Sequence, residues 1–361
     1  MTVQGHGWDD NTGYPAFRNL IINGGMSVAQ RGTSTASITT GGYLTCDRWA
    51  GAISSLGTWT NTQENDGPIG INKSWKWLCT TANASPAASA FALVRQGVEG
   101  QNLQQLLKGS ASAKSSTVSF WVKSNVTGTY IVYLNDNPNS RIIAASYTIN
   151  ASATWERKTV TFAGDTTGAL TNDASAGIYL SFLLGIGSNY TSAPLQTSWS
   201  TGQTGLGTGQ VNVAAAASNY WQITGVQWEV GSVATPFEFE PFETTLRKCQ
   251  RYFCKSYDSE TTPGTITQNG VYIFGGSTNG GGNMAIPITF PVEMRALPST
   301  YAFYNRSTGA STWNYDRSGA SGTFAPTTDA QGKRGFRVVV GAGAGWVTAS
   351  ALGHWTASAE L

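Results

Sequence analysis

Hydrophobic residues occupy alternate positions in four stretches of the chain, at 115–124, 130–134, 155–162 and 178–184. Alternation with a period of two is typical of a β-strand that buries one of its faces. Polar turns separate these stretches, and residues 135–138 (NDNP) form the clearest of them. Strands and turns over about two hundred residues predict a jelly-roll or other β-sandwich domain, large enough to bury a core without disulfides.

The hydrophobic period changes near residue 243. Residues 219–230 still alternate, whereas residues 231–243 contain a glycine and two prolines that take the chain out of a sheet. Beyond them Leu246, Cys249 and Phe253 recur at helical spacing, with a threonine as a plausible N-cap. We therefore predict a last strand, an elbow and a short helix over residues 244–257.

A second alternating pattern follows the predicted helix. Hydrophobic residues alternate over 284–294 and again over 336–340, while Pro287 and Pro291 fall on the opposite face and indicate an edge strand. We predict a second, smaller β-sandwich domain there, so the whole chain is predicted to be all-β. The predicted organisation is an arm over residues 1–18, a sandwich over 19–242, a linker helix over 243–258 and a C-terminal domain over 259–361.

Composition adds information about partners. Only 12% of the residues are charged, and the formal net charge is +2. A charge this small does not predict nucleic-acid binding, and a surface with few charges favours oligomers. The longest apolar run, at residues 178–186, is too short to span a bilayer, and the N-terminus lacks a signal-peptide pattern. We therefore expect that the protein does not insert into a membrane and that it is synthesised in a cytoplasm.

Signatures of catalysis and metal binding are sparse in the sequence. The four cysteines form no C-x-x-C or Cys/His zinc pattern, so reduced, buried thiols are expected. Two histidines offer little material for a Ser-His-Asp triad, and no phosphate loop or H-E-x-x-H motif occurs. Trp49, Trp59, Trp75 and Trp77 are expected in the core. No catalytic residue, metal or cofactor is predicted, and we expect a protein that is not an enzyme.

Six short motifs stand out along the chain, at residues 19–32 (NLIINGGMSVAQRG), 47–49 (DRW), 223–238 (ITGVQWEVGSVATPFE), 249–253 (CQRYF), 288–300 (ITFPVEMRALPST) and 359–361 (AEL). In this order they resemble the opening and closing β-sandwich motifs and the C-terminal motifs of tail fibres and receptor-binding proteins of tailed bacteriophages. The resemblance extends from Asn19 over most of the chain.

This resemblance implies a virion fibre or spike that is assembled in the host cytoplasm and recognises a host surface receptor, expected to be a glycan. Such fibres are generally homotrimers, and the arm would dock on other virion proteins. Two alternatives remain open at this point. One is a virion decoration or adaptor protein without receptor contact, and the other is a depolymerase that cleaves surface polysaccharide.

Two groups of residues are candidates for assembly. If three helices meet on an axis, Leu246, Cys249 and Phe253 would line the seam, whereas in a monomer they would pack on the C-terminal sheet of their own chain. In the arm, aromatic residues are candidates for virion docking or for packing on the protein's own body: Trp8, Tyr14 and Phe17.

Candidate glycan-binding residues place aromatic rings beside hydrogen-bonding groups, which is how proteins bind sugars. Trp199 lies in the long, nearly uncharged loop at residues 191–209, which could alternatively be a flap over a sandwich edge. The other candidates lie in the C-terminal domain, where ordinary hairpins are the alternative reading: Asn305, Arg306, Trp313, Tyr315 and Asp316.

Overall fold

The computed structural model describes residues 17–276, 284–317, 320–340 and 349–361. Within these ranges the regular structure is almost entirely β-strand, with one α-helix and a few single turns of 3-10 helix. The predicted all-β class is therefore confirmed. In the described part of the chain, no helix is both long and apolar enough to cross a membrane.

The chain forms two compact units. The first unit comprises residues 17–27, 33–241 and 361, and the second comprises Val28–Gly32 and Phe242–Glu360. The observed division thus differs from the predicted one at the short segment Val28–Gly32, which packs within the second unit. The predicted arm lies mostly outside the described residues.

Two six-stranded antiparallel sheets form the first unit. One sheet has the order β1 (Ser34–Ile38), β4 (Thr58–Glu64), β5 (Ser74–Thr81), β12 (Tyr220–Val230), β7 (Ser116–Ser124), β10 (Glu156–Phe162). The other has the order β2 (Gly41–Gly42), β3 (Ala50–Ser54), β6 (Phe91–Glu99), β11 (Ala176–Ile186), β8 (Gly128–Asp136), β9 (Arg141–Ile149). Strands that follow each other in sequence often lie in different sheets, which is the jelly-roll arrangement.

Tryptophan side chains fill much of the space between the two sheets. Trp75 and Trp77 on β5 pack edge to face with ring centroids 5.2 Å apart, and Trp59 packs against Trp77 at 6.2 Å. Each large aromatic ring removes a large apolar area from water, so these residues dominate the stability of the core. The prediction that four tryptophans are buried is confirmed, because Trp49 and these three have no exposed surface.

The loop over residues 191–212 covers the outer face of the second sheet. Leu206 of this loop packs with Leu93, Ile131 and Leu183, whose neighbours along each strand point into the main core. The loop also pairs with the edge strand β9, because Ile142 and Ser200 exchange backbone hydrogen bonds of 2.8 and 3.0 Å. The loop therefore covers an edge of the sandwich, as one of the two predictions for residues 191–209 stated, and we call it the flap.

Apart from segment Val28–Gly32, the second unit runs from helix α1 (Phe242–Gln250) onward, and its described residues form two smaller sheets. In one sheet β21 (Ala349–Ser358) pairs with β13 (Phe253–Lys255), β14 (Tyr272–Gly276), β16 (Thr300–Tyr304) and β17 (Trp313–Arg317), and β17 pairs with β18 (Ala320–Phe324). The other has the order β15 (Met284–Thr289), β20 (Gly335–Val340), β19 (Thr327–Gly332). Strand β15 lies at the end of this order, as its proline predicts.

The helix is shorter than predicted. It ends at Gln250, and Phe253 lies in a strand whose partner in β21 is Ser358. A helix of nine residues has little intrinsic stability, so pairing of residues 253–255 with β21 overrides the helical spacing of the hydrophobic residues. The prediction of one helix over residues 244–257 is therefore wrong beyond Gln250.

Candidate functional site

Two of the predicted glycan-binding residues are structural. Trp313 on β17 has no exposed surface, and its indole Nε1 donates a hydrogen bond of 2.8 Å to the carbonyl oxygen of His354. Asn305 is equally buried, and its Oδ1 accepts hydrogen bonds from the amides of Ser307 and Thr308 at 2.9 and 3.2 Å. Burial of both side chains corrects the prediction that they stack on or bind a sugar.

The other predicted residues of the second unit do not converge. Arg306 donates a 2.8 Å hydrogen bond from Nη1 to Oε1 of Gln268. Tyr315 and Asp316 are consecutive on β17, so their side chains point to opposite faces of the strand. The role of these three residues as sugar contacts stays a prediction, and they do not all lie on one surface.

Trp199 fastens the flap to the sandwich. Its indole Nε1 donates a 2.8 Å hydrogen bond to the carbonyl oxygen of Ala163, and its half-buried ring packs against the main core. The ammonium nitrogen of Lys108 lies 5.2 Å from the ring centroid. These contacts hold the loop on the sandwich, and the role of Trp199 as a glycan contact stays a prediction.

The Lys108 ammonium is the centre of a buried group of oxygen atoms. It contacts the carboxylates of Asp136 and Asp165, the latter at 3.0 Å, and donates hydrogen bonds of 3.0 and 2.7 Å to the carbonyl oxygens of Thr167 and Gly168. Burial raises the pKa of Asp165, but hydrogen bonds from Arg141 and Lys108 outweigh burial and lower it. The lysine thus acts as an internal cation. Among the described residues, no cluster of three His, Cys, Asp or Glu side chains could hold a metal ion.

The predicted seam residues are mainly buried within one chain. Cys249 is 0% exposed and Phe253 is 6% exposed, and the guanidinium carbon of Arg31 lies 3.8 Å from the Phe253 ring centroid. Burial corrects the prediction that these two side chains line a seam between copies, and it favours packing within their own unit. Leu246 remains partly exposed on the helix.

The predicted docking residues of the arm are mostly outside the described part of the chain. Trp8 and Tyr14 lie outside the described residues. Phe17 is 74% exposed, and its backbone amide donates a 2.5 Å hydrogen bond to Oε1 of Glu238. Docking of these three residues on the virion stays a prediction.

A different surface combines aromatic rings with polar groups on the first unit. On β7, Phe120 and Val122 face the core, so Trp121 and Lys123 point outward. On β12 and β5 the same alternation directs Tyr220, Gln222 and Lys76 to this outer face, between core residues of the same strands. We call this surface the platform; it consists of Asp66, Lys76, Trp121, Lys123, Trp155, Tyr220 and Gln222.

Strand register arranges the polar groups of the platform in a row. Gln222 of β12 lies between Lys76 of β5 and Lys123 of β7, its partners on the two neighbouring strands. An ammonium nitrogen lies close to each of two rings, with Lys76 at 4.9 Å from the Tyr220 centroid and Lys123 at 5.0 Å from the Trp155 centroid. Cation–π attraction stabilises both pairs.

Asp66 joins these groups into one network. Its Oδ1 accepts a 3.2 Å hydrogen bond from the Trp155 indole, and its Oδ2 accepts one of 3.2 Å from the Gln222 amide and another from Lys123. Burial raises the pKa of Asp66, but the hydrogen bonds from Lys123, Trp155 and Gln222 outweigh burial and hold it below its usual value. The carboxylate therefore stays charged at neutral pH.

The platform offers the groups that bind polyhydroxylated molecules. Trp121, Trp155 and Tyr220 are each partly exposed, and the Asp66 side chain keeps 46% of its surface exposed. Apolar ring faces can stack on sugar C–H groups, while carboxylate and ammonium groups pair with hydroxyls. Gln222 is only 2% exposed, so its amide holds Asp66 in place and is not offered to a ligand. The sequence contained one signal for this site, since Trp121 falls on the polar face of an alternating strand. Its neighbours come from distant parts of the chain, and only strand register brings them together.

No protein-family model matches the chain, and no curated protein matches it. Solved structures that are similar include the enzymatically active domain of tailspike protein 4 of bacteriophage CBA120, with 13% identity, 62% of this chain and 23% of that chain covered, and a TM-score of 0.33. A family 11 carbohydrate-binding module of a Clostridium thermocellum cellulosomal cellulase shows 10% identity, 52% and 90% coverage, and a TM-score of 0.29.

A xylan-binding domain from Paenibacillus barcinonensis shows 9% identity, with 57% of this chain and 100% of that chain covered and a TM-score of 0.26. The matched part spans about a quarter of the tailspike chain, at 23% of its length. TM-scores between 0.26 and 0.33 indicate a weak overall likeness, so none of these proteins transfers its function to this chain.

Proposed function

We propose that this protein binds a host cell-surface glycan on the platform of its first unit. The observation that carries the proposal is the grouping of three partly exposed aromatic rings with a charged carboxylate and two ammonium groups on one sheet face. The buried amide of Gln222 holds the carboxylate in place. Trp121 and Tyr220 lie on the neighbouring strands β7 and β12, and Trp155 precedes β10 beside them. An extended polysaccharide therefore fits this surface better than an isolated small molecule does.

The proposed setting is a tailed-phage virion, in which the protein is a fibre or spike and forms a homotrimer. Support comes from the ordered motifs between Asn19 and Leu361 that resemble phage receptor-binding proteins. Residues 1–18 would attach the trimer to other virion proteins. Three copies of a shallow site gain affinity through effective concentration, so each site can be weak.

We also propose that binding is not followed by bond cleavage. A glycosidase needs a general acid with a raised pKa, yet the described carboxyls with shifted pKa values shift downward. For Glu156, burial raises the pKa, but hydrogen bonds from Lys158 and from residues 150–151 lower it to about 2. The Ser256 hydroxyl lies 3.1 Å from Nδ1 of His354, but this histidine has no exposed surface for a substrate to reach.

The platform is tested by replacing its rings singly. Trp155→Ala and Tyr220→Ala should each weaken binding to a panel of purified bacterial envelope polysaccharides by about 2- to 10-fold, because each removes one stacking surface. The control is Tyr315→Ala, which removes a ring of the second unit and should leave affinity unchanged. Loss of binding in Tyr315→Ala with none in the platform variants would place the site in the second unit instead.

The virion setting needs separate measurements. Sedimentation of the purified protein should give the mass of three chains, and antibodies against the chain should label one structure on purified phage particles. Incubation with the polysaccharides that bind should release no new reducing ends. A monomer that labels no particle would contradict the fibre, and new reducing ends would favour a depolymerase.

A further inference from the structure

We infer that Arg157 is a further ligand-binding residue of the proposed glycan site. Together with Trp121 it forms a subsite that holds one sugar unit by oxygen atoms that accept hydrogen bonds. The subsite rests on the proposed function and deepens it, because it extends the platform onto strand β10 and specifies which groups of the ligand are recognised there. Strand register, exposure and unused hydrogen-bond donors point to it.

Strand β10 places Arg157 on the same sheet face as the platform. Val160 and Phe162 of this strand belong to the core, so the odd-numbered residues of β10 point outward, where they are exposed. Register pairs Arg157 with Trp121 of β7. Cβ atoms of residues paired in this way lie about 5 Å apart. Arg157 also follows Trp155 by two positions on the same face, so it adjoins two of the three platform rings.

The Arg157 guanidinium keeps most of its hydrogen-bond donors available. Its Nη2 donates a 2.9 Å hydrogen bond to the carbonyl oxygen of Thr235, which fixes the direction of the exposed side chain. No carboxylate among the described residues forms an ion pair with this guanidinium. A guanidinium has five N–H donors and no acceptor. One donor holds the side chain in place, and the others are available to a ligand.

Trp121 supplies a second unused donor and a ring that is held in position. Within the described part of the chain its indole N–H has no hydrogen-bond partner, whereas the indole N–H of Trp155 is bonded to Asp66. The ring lies against the backbone of β12, because a methyl group added at Gly225 would be 3.1 Å from its Cδ1 atom. An indole N–H can only donate. The subsite therefore offers donors from two side chains, neither of which can accept.

These donors specify oxygen acceptors on the ligand. A sugar unit that stacks its C–H face on the Trp121 ring carries oxygen atoms around its rim, and the parallel N–H groups of a guanidinium can reach two neighbouring ones. Hydroxyl oxygens and acetyl carbonyl oxygens share this chemistry. A protonated amino group at the same place offers no acceptor, and its positive charge is repelled by Arg157. The subsite thus favours hydroxyl-bearing or acetylated sugar units over units with a free amino group.

The test compares variants of the full chain on three purified probes, which are lipopolysaccharide, capsular polysaccharide and wall teichoic acid. On the probe that binds most tightly, Arg157→Met should weaken binding about 3- to 10-fold, because hydrogen bonds from a charged donor are lost. Trp121→Phe keeps an aromatic ring without the N–H and should weaken binding about 2- to 5-fold. Arg157→Lys should recover only part of the affinity, since an ammonium lacks the planar fork.

Treatment of the same probe with mild alkali, which removes ester-linked acetyl groups, distinguishes the two kinds of acceptor. If acetyl carbonyls are bound, the treated probe should bind wild type and Arg157→Met equally. If hydroxyl oxygens are bound, the difference between the two proteins should remain.

The matched control is Arg334→Met, which removes an exposed arginine from the second unit and should leave binding unchanged. Arg157→Met should also keep the urea-unfolding midpoint of the wild type. Unchanged binding in Arg157→Met, full recovery in Arg157→Lys, or weaker binding that is accompanied by a lower midpoint would overturn the inference.

Two further outcomes separate the subsite from the proposed function. If Trp155→Ala weakens binding and Arg157→Met does not, the platform stands and only the subsite fails. If no probe binds, or if Trp155→Ala and Tyr220→Ala both leave binding unchanged, the proposed function fails and the subsite fails with it.

Discussion

At the scale of single residues, His354 shows how a buried polar side chain is satisfied in the second unit. Its ring stacks on Tyr257 with centroids 3.7 Å apart, Nε2 lies 3.2 Å from the carbonyl oxygen of Thr267, and Nδ1 lies 3.1 Å from the Ser256 hydroxyl. A carbonyl oxygen can only accept, so Nε2 carries the proton and Nδ1 accepts from Ser256. Burial lowers the pKa of His354, so the buried ring is neutral.

This lowered pKa predicts a stability that depends on pH. The unfolded chain binds a proton at His354 near pH about 6.5, while the folded chain binds it only at lower pH. The contribution to stability is therefore complete above pH about 6.5 and is lost as the pH falls from there toward the lower folded pKa. Urea unfolding at several pH values between neutral and mildly acidic measures how the free energy of unfolding depends on pH. His354→Gln should flatten this dependence, and an unchanged pH profile in that variant would contradict the assignment.

At the scale of elements, side chains rather than regular structure hold the long connections in place. The flap pairs with β9 through Ile142 and Ser200, and Trp199 fixes it to Ala163. The Lys108 ammonium ties the segment before β7 to Asp136 at the end of β8 and to the loop after β10. These contacts give loops without regular structure a defined position on the sandwich.

Removing the ammonium should strongly destabilise the first unit. Lys108→Met leaves the buried carboxylates of Asp136 and Asp165 without this partner, and breaking a buried ion pair costs about 3–5 kcal/mol. Chemical denaturation would measure the loss in the free energy of unfolding. Lys333→Met removes an exposed lysine and should change that free energy very little. A loss below about 1 kcal/mol in Lys108→Met would show that the ion pair is not stabilising.

At the scale of the whole molecule, parts of three of the motifs that resemble phage proteins, at residues 28–32, 249–253 and 359–360, contact one another in the second unit. Nε2 of Gln30 donates a 2.9 Å hydrogen bond to the carbonyl oxygen of Phe253, and Nζ of Lys255 donates one of 2.6 Å to the carbonyl oxygen of Gln30. Arg31 pairs with Glu360 at 3.0 Å. Segment Val28–Gly32 is therefore a structural part of a unit whose remaining residues begin more than two hundred positions later.

This arrangement predicts that a substitution in segment Val28–Gly32 will destabilise the second unit, although the rest of that unit is distant in sequence. Gln30→Ala removes the side-chain donor to the carbonyl oxygen of Phe253, and loss of a buried hydrogen bond of this kind costs about 1–3 kcal/mol. Faster hydrogen exchange at the amides of β13, with unchanged exchange in β7, would localise the loss to the second unit. Gln331→Ala replaces an exposed residue of β19 and serves as the control. Unchanged exchange in β13 would show that Gln30 does not support it.

The sequence by itself determined the all-β class, the core tryptophans and the change of architecture near Phe242, because alternation, composition and turn residues act locally. It also placed Trp121 on the polar face of a strand. It did not predict that Trp313 and Asn305 are buried, that the helix ends at Gln250, or that Val28–Gly32 belongs to the second unit.

Only the tertiary structure decided which of these residues are buried, where the helix ends, and which residues form the platform. Asp66, Trp155 and Gln222 are far apart in sequence and meet only because β12 lies between β5 and β7 in one register. The physical reason is that periodicity shows which face of a strand is buried, whereas strand order and register depend on packing of the whole core.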